Sequence, residues 1–185
     1  IWMGAIDKDG LAVSYIQSLF WEFGSGCVLP STGILWQNRG RGFSLDPNAR
    51  NPLEPGRKPF HTLCPALAAF DDGRVLSYGT MGGEAQPQVQ AQIFSRYARF
   101  GMGLAEAVDA PRWLFGRAWR APAASLRVED RFDAGLLRAL RERGHPVEEL
   151  GQPYLDALGH AGMLVKHRRD GRVEAVHDPR ADGGA

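Results

Sequence analysis

The chain has 185 residues, with 44% apolar and 23% charged side chains, enough material for one compact core and too little for two. Its net charge of +1 provides no field that would draw nucleic acid or an anionic membrane, and no apolar run approaches the roughly 20 residues of a membrane span. Cys27 and Cys64 lack CxxC spacing and suggest neither a zinc site nor a disulfide framework, so both are expected to be buried free thiols.

In chain order, residues 2–6 read as a strand already under way, followed by the Asp7-Lys8-Asp9-Gly10 turn and a second strand over residues 11–18. A strand so close to the first residue has two readings. One is a trimmed start, and the other is a proteolytic cut placed where an N-terminal residue is needed for chemistry. Residues 39–58, with Pro47, Pro52 and Pro55, form a loop of about twenty residues, a length usually functional or disordered. A second hairpin pairs residues 62–70 with 74–78 across Asp71-Asp72-Gly73. Pro87 suits a first helical turn, and Val89, Ile93, Phe94, Tyr97 and Phe100 recur at helical spacing, which predicts an amphipathic helix running to Phe100. A short helix is expected over residues 104–108, halted before Pro111. Asp133 can cap a third helix carrying Leu136, Leu137 and Leu140, with Gly144 closing it. A third hairpin pairs residues 162–167 with 173–177. The Arg-rich stretches 117–120 and Arg168-Arg169 read as solvated faces, and no stretch reads as a targeting segment. Hairpins covered by helices make an α+β domain whose sheets another chain can complete.

Gly79-Thr80-Met81-Gly82-Gly83-Glu84 joins the end of a strand to a helix. Paired glycines there can turn successive N–H groups towards one negative oxygen. A phosphate-binding turn, an oxyanion hole and a tight turn needing glycine for steric reasons alone all fit, although Gly-Lys-Ser/Thr and GxGxxG are absent.

The tie is broken by order. Asp7-Lys8-Asp9-Gly10-x-Ala12-Val13, Phe23-Gly24-Ser25-Gly26, Gly33-Ile34-Leu35, Pro59 with Pro65, Gly79-Thr80-Met81-Gly82-Gly83, Ala110-Pro111-Arg112, Leu126-x-Val128-Glu129 and Asp178-Pro179-Arg180 follow one another along the chain. The series closely resembles the small subunit of the γ-glutamyltranspeptidase family over essentially the whole chain. The resemblance implies an Ntn-hydrolase fold, a four-layer αββα sandwich in which residues 1–185 are the small subunit of a single domain. A large subunit from the same self-cleaving precursor completes it, and a dimer of heterodimers is one assembly the resemblance allows. It places a catalytic Thr directly before Ile1. The α-amino group freed by cleavage, with a reference pKa of about 7.7 to 8.0, can take the proton of that hydroxyl near neutral pH.

The resemblance also assigns roles residue by residue. Gly82 and Gly83 are the oxyanion donors. Ser18 stands where the family has a Thr hydroxyl that orients the nucleophile. Phe20 replaces an Asn that contacts the α-carboxylate end of a glutamyl substrate. Arg39 replaces a Gln or Glu, Gly42 replaces the Asp that pairs with the substrate ammonium, and His61-Thr62 replaces a Ser-Ser pair that grips the carboxylate. Loss of the acidic partner and gain of a guanidinium favour an anionic or neutral acyl group over a glutamyl head. The context Asn38-Arg39-Gly40 resembles the divergent branch of oxamate amidohydrolase-like proteins and acylases, so hydrolysis of a small-molecule amide is expected. A true γ-glutamyltransferase and a non-catalytic member lacking the Thr are the rival readings.

Other polar residues take plainer roles. His145, His160, His167 and His177 lack metal-ligand spacing and carboxylate company, so no metal or other cofactor is implied. Glu84 is read as a cap for the following helix. Arg112 and Arg180 are family marks expected to tie loops through backbone carbonyls, and Trp36 fits either site or core. The absence of a disulfide framework leans towards the cytoplasm.

Overall fold

The computed structural model describes residues 1–116 and 124–184, and the Arg-rich stretch 117–120 lies outside the described residues. In chain order the elements are β1 (Trp2–Ile6), β2 (Ala12–Ile16), β3 (Ala66–Ala69), β4 (Val75–Thr80), α1 (Gln86–Ala98), α2 (Leu104–Asp109), β5 (Trp113–Gly116), β6 (Ser125–Val128), α3 (Ala134–Glu142), β7 (Val147–Glu149), β8 (Ala161–Lys166) and β9 (Val173–His177). Two compact units result, one made of Ile1–Ile16 and Cys64–Ala185, the other of Gln17–Leu63.

In the larger unit the predicted hairpins form and stack. β1 and β2 pair antiparallel, Trp2 opposite Ile16 and Ile6 opposite Ala12. Their turn is closed by Asp7, whose carboxylate accepts from the N–H groups of Asp9 at 2.9 Å and Leu11 at 2.8 Å. A four-stranded antiparallel sheet runs in the order β3-β4-β8-β9. Alternation along its central strands sends Leu76, Met163 and Val165 to one face, where they pack with Val89 and Ile93 of α1 and Ala107 and Val108 of α2. Each such buried aliphatic side chain is worth about 1.5–3 kcal/mol relative to exposure.

The opposite face carries Ser77, Gly79, Gly162 and Leu164 and receives the β1-β2 hairpin. Ser77 Oγ donates to the Val13 carbonyl at 2.8 Å. The Trp2 indole lies over Gly79 and Gly162, which are register partners. A Cβ on either would come within 2.1 Å or 2.2 Å of indole carbons. Three layers of the sandwich are therefore present: hairpin, sheet, and the helices α1 and α2.

A smaller sheet, β5-β6-β7, was not expected from the sequence; β6 and β7 pair in parallel, 126 opposite 147. The outer edge of β5 is covered by side chains of α1. Gln88 exchanges two 2.8 Å hydrogen bonds with the Phe115 main chain, and Gln92 donates to the Trp113 carbonyl at 2.8 Å and accepts from its N–H at 3.2 Å.

Arg112 and Arg180 do tie loops together, and they do so around buried carboxylates. Arg180 grips Glu129 bidentately, both contacts at 2.6 Å, while its Nη1 lies 3.0 Å from Asp178. Arg112 meets Asp178 at 2.5 Å. The four charged side chains are sealed from solvent, and charges so placed persist only when paired and hydrogen-bonded. Burial lowers the Arg112 pKa to about 10 against the opposing pull of Asp178. Burial pushes the Glu129 carboxyl up, but the hydrogen bond and charge of Arg180 outweigh this and hold it below its ordinary range.

Several expectations are corrected. The strand expected over 62–70 is only Ala66–Ala69, because Pro65 has no N–H to give a ladder. α1 stops at Ala98, with Gly101 in the left-handed region at φ 69° and Phe100 left 76% exposed. Cys27 is exposed and Cys64 half-buried, so neither thiol belongs to the core. Glu84 caps nothing; Ala85 holds the N-cap position of α1 without a side-chain bond. His160 pairs with Asp156 and His167 with Glu174, so these two do have carboxylate company. As expected, Asp133 caps α3 by accepting from the Leu136 N–H at 2.8 Å, and Gly144 adopts φ 87°.

The smaller unit has little regular structure: a 3-10 turn, Arg39–Gly42, and two isolated bridges, Val28 with Leu35 and Ser44 with Pro52. The predicted loop 39–58 is held by its own polar contacts. Asn51 Nδ2 donates to the Gly42 carbonyl at 3.1 Å, and Arg57 pairs with Glu54 at 2.8 Å. Trp36 is half exposed and lies outside the core.

Candidate active site

In the larger unit β4 runs out at Thr80, and the chain turns through Met81, Gly82 and Gly83 into a 3-10 turn, Gly83–Ala85, and then α1. Gly82 has φ 133° and Gly83 φ 52°, conformations that exact a steric penalty from any residue with a Cβ. Gly82 is buried and Gly83 exposed. Neither N–H donates to an acceptor among the described residues. Two adjacent, unclaimed N–H groups at a strand end are suited to a developing oxyanion.

A second turn braces the first. The Met81 N–H donates to the His160 carbonyl at 3.2 Å, and Thr80 Oγ1 donates to the Met81 carbonyl at 2.6 Å. Gly159, at φ 83°, lies so close beneath that a Cβ there would come within 2.7 Å of both the Met81 carbonyl and Thr80 Oγ1. A cavity of about 620 Å³ opens beside this pair of turns, with Ile1, Met81, His160 and Asp178 in its wall.

In the smaller unit the structure joins Ser18, Phe20, Arg39 and Thr62. Ser18 Oγ accepts from the Phe20 N–H at 2.9 Å, and Phe20 adopts φ 83°, a strained conformation for a residue with a side chain. The Phe20 ring stacks on Trp21 with centroids 6.1 Å apart, and the Arg39 guanidinium lies 5.7 Å from the Phe20 centroid. Arg39 Nη1 donates to Thr62 Oγ1 at 2.9 Å, whereas its Nη2 is buried with no acceptor among the described residues. At Gly42 an added Cβ would stand 3.9 Å from the tip of Phe20, in ordinary contact. His61 is exposed and stays out of this cluster.

Sequence reasoning missed Asn38 and Arg41 as members of the cluster. Asn38 Oδ1 accepts from the Trp21 N–H at 3.1 Å, and Arg41 lies 5.1 Å over the Trp21 ring, which extends the stack by one layer. The Asn-Arg-Gly-Arg-Gly run was the available signal for them. Gly159 and His160 were also missed, since a glycine before a strand reads as an ordinary turn. Among the described residues no three His, Cys, Asp or Glu side chains come together as metal ligands.

The sheet stacking and the glycine turn define an Ntn-hydrolase fold, which comparison with known proteins bears out. The family model for gamma-glutamyltranspeptidase matches residues 1–185, and the chain belongs to that family. The chain is 53% identical, over its whole length, to an oxamate amidohydrolase proenzyme of Klebsiella pneumoniae, of which it covers 35%. A cephalosporin acylase from Bacillus halodurans superposes with TM-score 0.81 at 33% identity, covering 99% of this chain and 33% of that one. A γ-glutamyltranspeptidase chain from Pseudomonas nitroreducens gives TM-score 0.77 at 25% identity, covering 100% and 97%. The chain spans about a third of the length of the Klebsiella proenzyme and of a glutathione hydrolase-like proenzyme of Bacillus subtilis, to which it is 46% identical over 97% of its residues.

Proposed function

We propose that this chain is the small subunit of a self-processed amide hydrolase whose nucleophile is a Thr directly before Ile1 and whose acyl substrate carries a negative charge. The observation that carries the substrate class is Arg39. One guanidinium nitrogen is anchored on Thr62 Oγ1, the ring of Phe20 lies beneath, and Nη2 is buried with nothing to donate to among the described residues. A carboxylate on the acyl group would complete that donor set, and a charge-assisted hydrogen bond of this kind is worth about 1.5–3 kcal/mol. The Phe20 side chain has no donor for a glutamyl α-carboxylate, and Gly42 brings no side-chain carboxylate to its ammonium. Oxamate, in the name of the 53% identical relative, is a monoamide whose acyl half ends in a carboxylate, which agrees with this reading.

In this mechanism the Thr hydroxyl attacks the amide carbonyl while the free α-amino group accepts its proton. The Gly82 and Gly83 N–H groups receive the tetrahedral oxyanion. The α-ammonium returns the proton to the leaving amine, and water hydrolyses the acyl ester. The remainder of the precursor supplies a large subunit, for which the outward face of the β1-β2 hairpin, with Met3, Val13 and Tyr15 exposed, offers an apolar surface.

The test is the processed two-subunit enzyme assayed against a short amide with a carboxylate on its acyl group, the matching neutral amide, and a γ-glutamyl anilide. The expected order of kcat/KM is carboxylate amide first and glutamyl anilide last. Efficient glutamyl release and transfer to dipeptides would reverse the assignment. A precursor with Ala or Val before Ile1 would leave only a non-catalytic role.

A further inference from the structure

The turn that braces Gly82 and Gly83 is itself held by a buried guanidinium. Arg112 is fully buried, and its Nη1 donates to the Gly159 carbonyl at 2.7 Å and the Leu158 carbonyl at 3.3 Å. Its Nη2 donates to the Val108 carbonyl at 2.9 Å and pairs with Asp178 Oδ2 at 2.5 Å. The same Asp178 oxygen accepts from the Ala161 N–H at 2.6 Å. One ion pair thus grips the chain on both sides of His160, the residue whose carbonyl takes the Met81 N–H.

We propose that Arg112, held by Asp178, is a positioning residue for the Gly82 and Gly83 N–H donors, acting through the carbonyl of Gly159. The coupling is steric and directional. Gly159 has no space for a Cβ beneath Met81, and a Cβ on Gly82 would be 3.4 Å from the Gly159 Cα, so these backbones are in contact. A shift of Gly159 is therefore passed to the donors above it. A buried ion pair is a poor source of net stability, because desolvating both charges offsets their attraction. Three carbonyls and the Asp178 carboxylate converging on one guanidinium instead fix three chain segments in space. Oxyanion donors need such support, since misplacement by about 1 Å can cost on the order of 100-fold in rate.

The inference rests on the amide-hydrolase reading, and its test separates the two. The two subunits are co-expressed as separate chains, so that self-cleavage is not required, and active sites are counted by covalent acyl labelling. Wild-type enzyme without amidase activity would defeat the reading of function. Given an active wild type, R112M is expected to lower kcat per labelled site by at least about 30-fold, with KM for the carboxylate amide within about twofold and with partial rescue by added guanidinium ion. G159A leaves the ion pair whole and is expected to show the same split, so it decides the matter where R112M fails to assemble. Normal kcat per site in the variants, or a raised KM at unchanged kcat, would overturn the positioning role, as would loss of activity only in proportion to lost sites.

Discussion

Trp2 lies in the space that a side chain on Gly79 would need: a Cβ there would come within 2.1 Å of the indole. The contact keys the first strand of the hairpin onto the central sheet, and the indole N–H is satisfied by Ser14 Oγ at 2.9 Å. Forced overpacking of this kind typically costs about 1–3 kcal/mol. G79A is expected to lower the melting temperature of the assembled protein by several degrees. A shift below one degree, measured calorimetrically, would show that the indole moves aside freely.

Arg39 and Thr62 should separate substrates by charge. Replacing Arg39 by Met is expected to reduce kcat/KM for a carboxylate-bearing amide by about 10- to 100-fold while leaving the neutral amide within about threefold. T62V removes one hydrogen bond of about 1 kcal/mol and should cost roughly fivefold on the anionic substrate. Paired kinetics on the two amides read both effects.

Glu129 sets an acid limit. Its folded pKa lies below the ordinary 4.5, so its contribution is fully present above about pH 4.5 and is lost as pH falls through the lower, folded value. E129Q is expected to be less stable at pH 7, by a few kcal/mol, since Arg180 would face a neutral partner in a buried site. Its stability should also decline less steeply than wild type on acidification. Denaturant midpoints between pH 3 and 7 give both slopes.

The cap of α3 is a local, additive element. D133A removes the acceptor of the Leu136 N–H and should destabilise by about 0.5–2 kcal/mol, whereas D133N should cost much less. Equal losses in the two variants would mean that the carboxylate acts through its charge.

What the sequence disclosed was what short-range chemistry decides. Asp133 and Gly144 bracket α3 because capping needs only neighbours, and Asp7 with Gly10 closes a hairpin for the same reason. The sheet β5-β6-β7 escaped notice because β6 pairs in parallel with a strand about twenty residues on, and β5 leans on glutamine side chains that carry no strand signal. Arg112 and Arg180 were readable as ties between loops, but the pairs Arg112–Asp178 and Arg180–Glu129 each join distant parts of the chain. At the candidate site, Gly82, Arg39 and Thr62 could be named in advance. Phe20 could be named as well, but neither its strained conformation nor the bracing Gly159 could be foreseen, since both depend on backbone angles that only the folded chain sets.

Gln88 and Gln92 give β5 a surrogate neighbour: two primary amides, one helical turn apart, reproduce the donor and acceptor sequence of an adjoining strand. That edge of the small sheet is consequently closed to recruitment. A stray strand, whether from a second molecule or from a misfolded copy, finds its hydrogen-bonding positions already filled, so growth of the sheet by edge addition is blocked from that side by a helix that never becomes part of it.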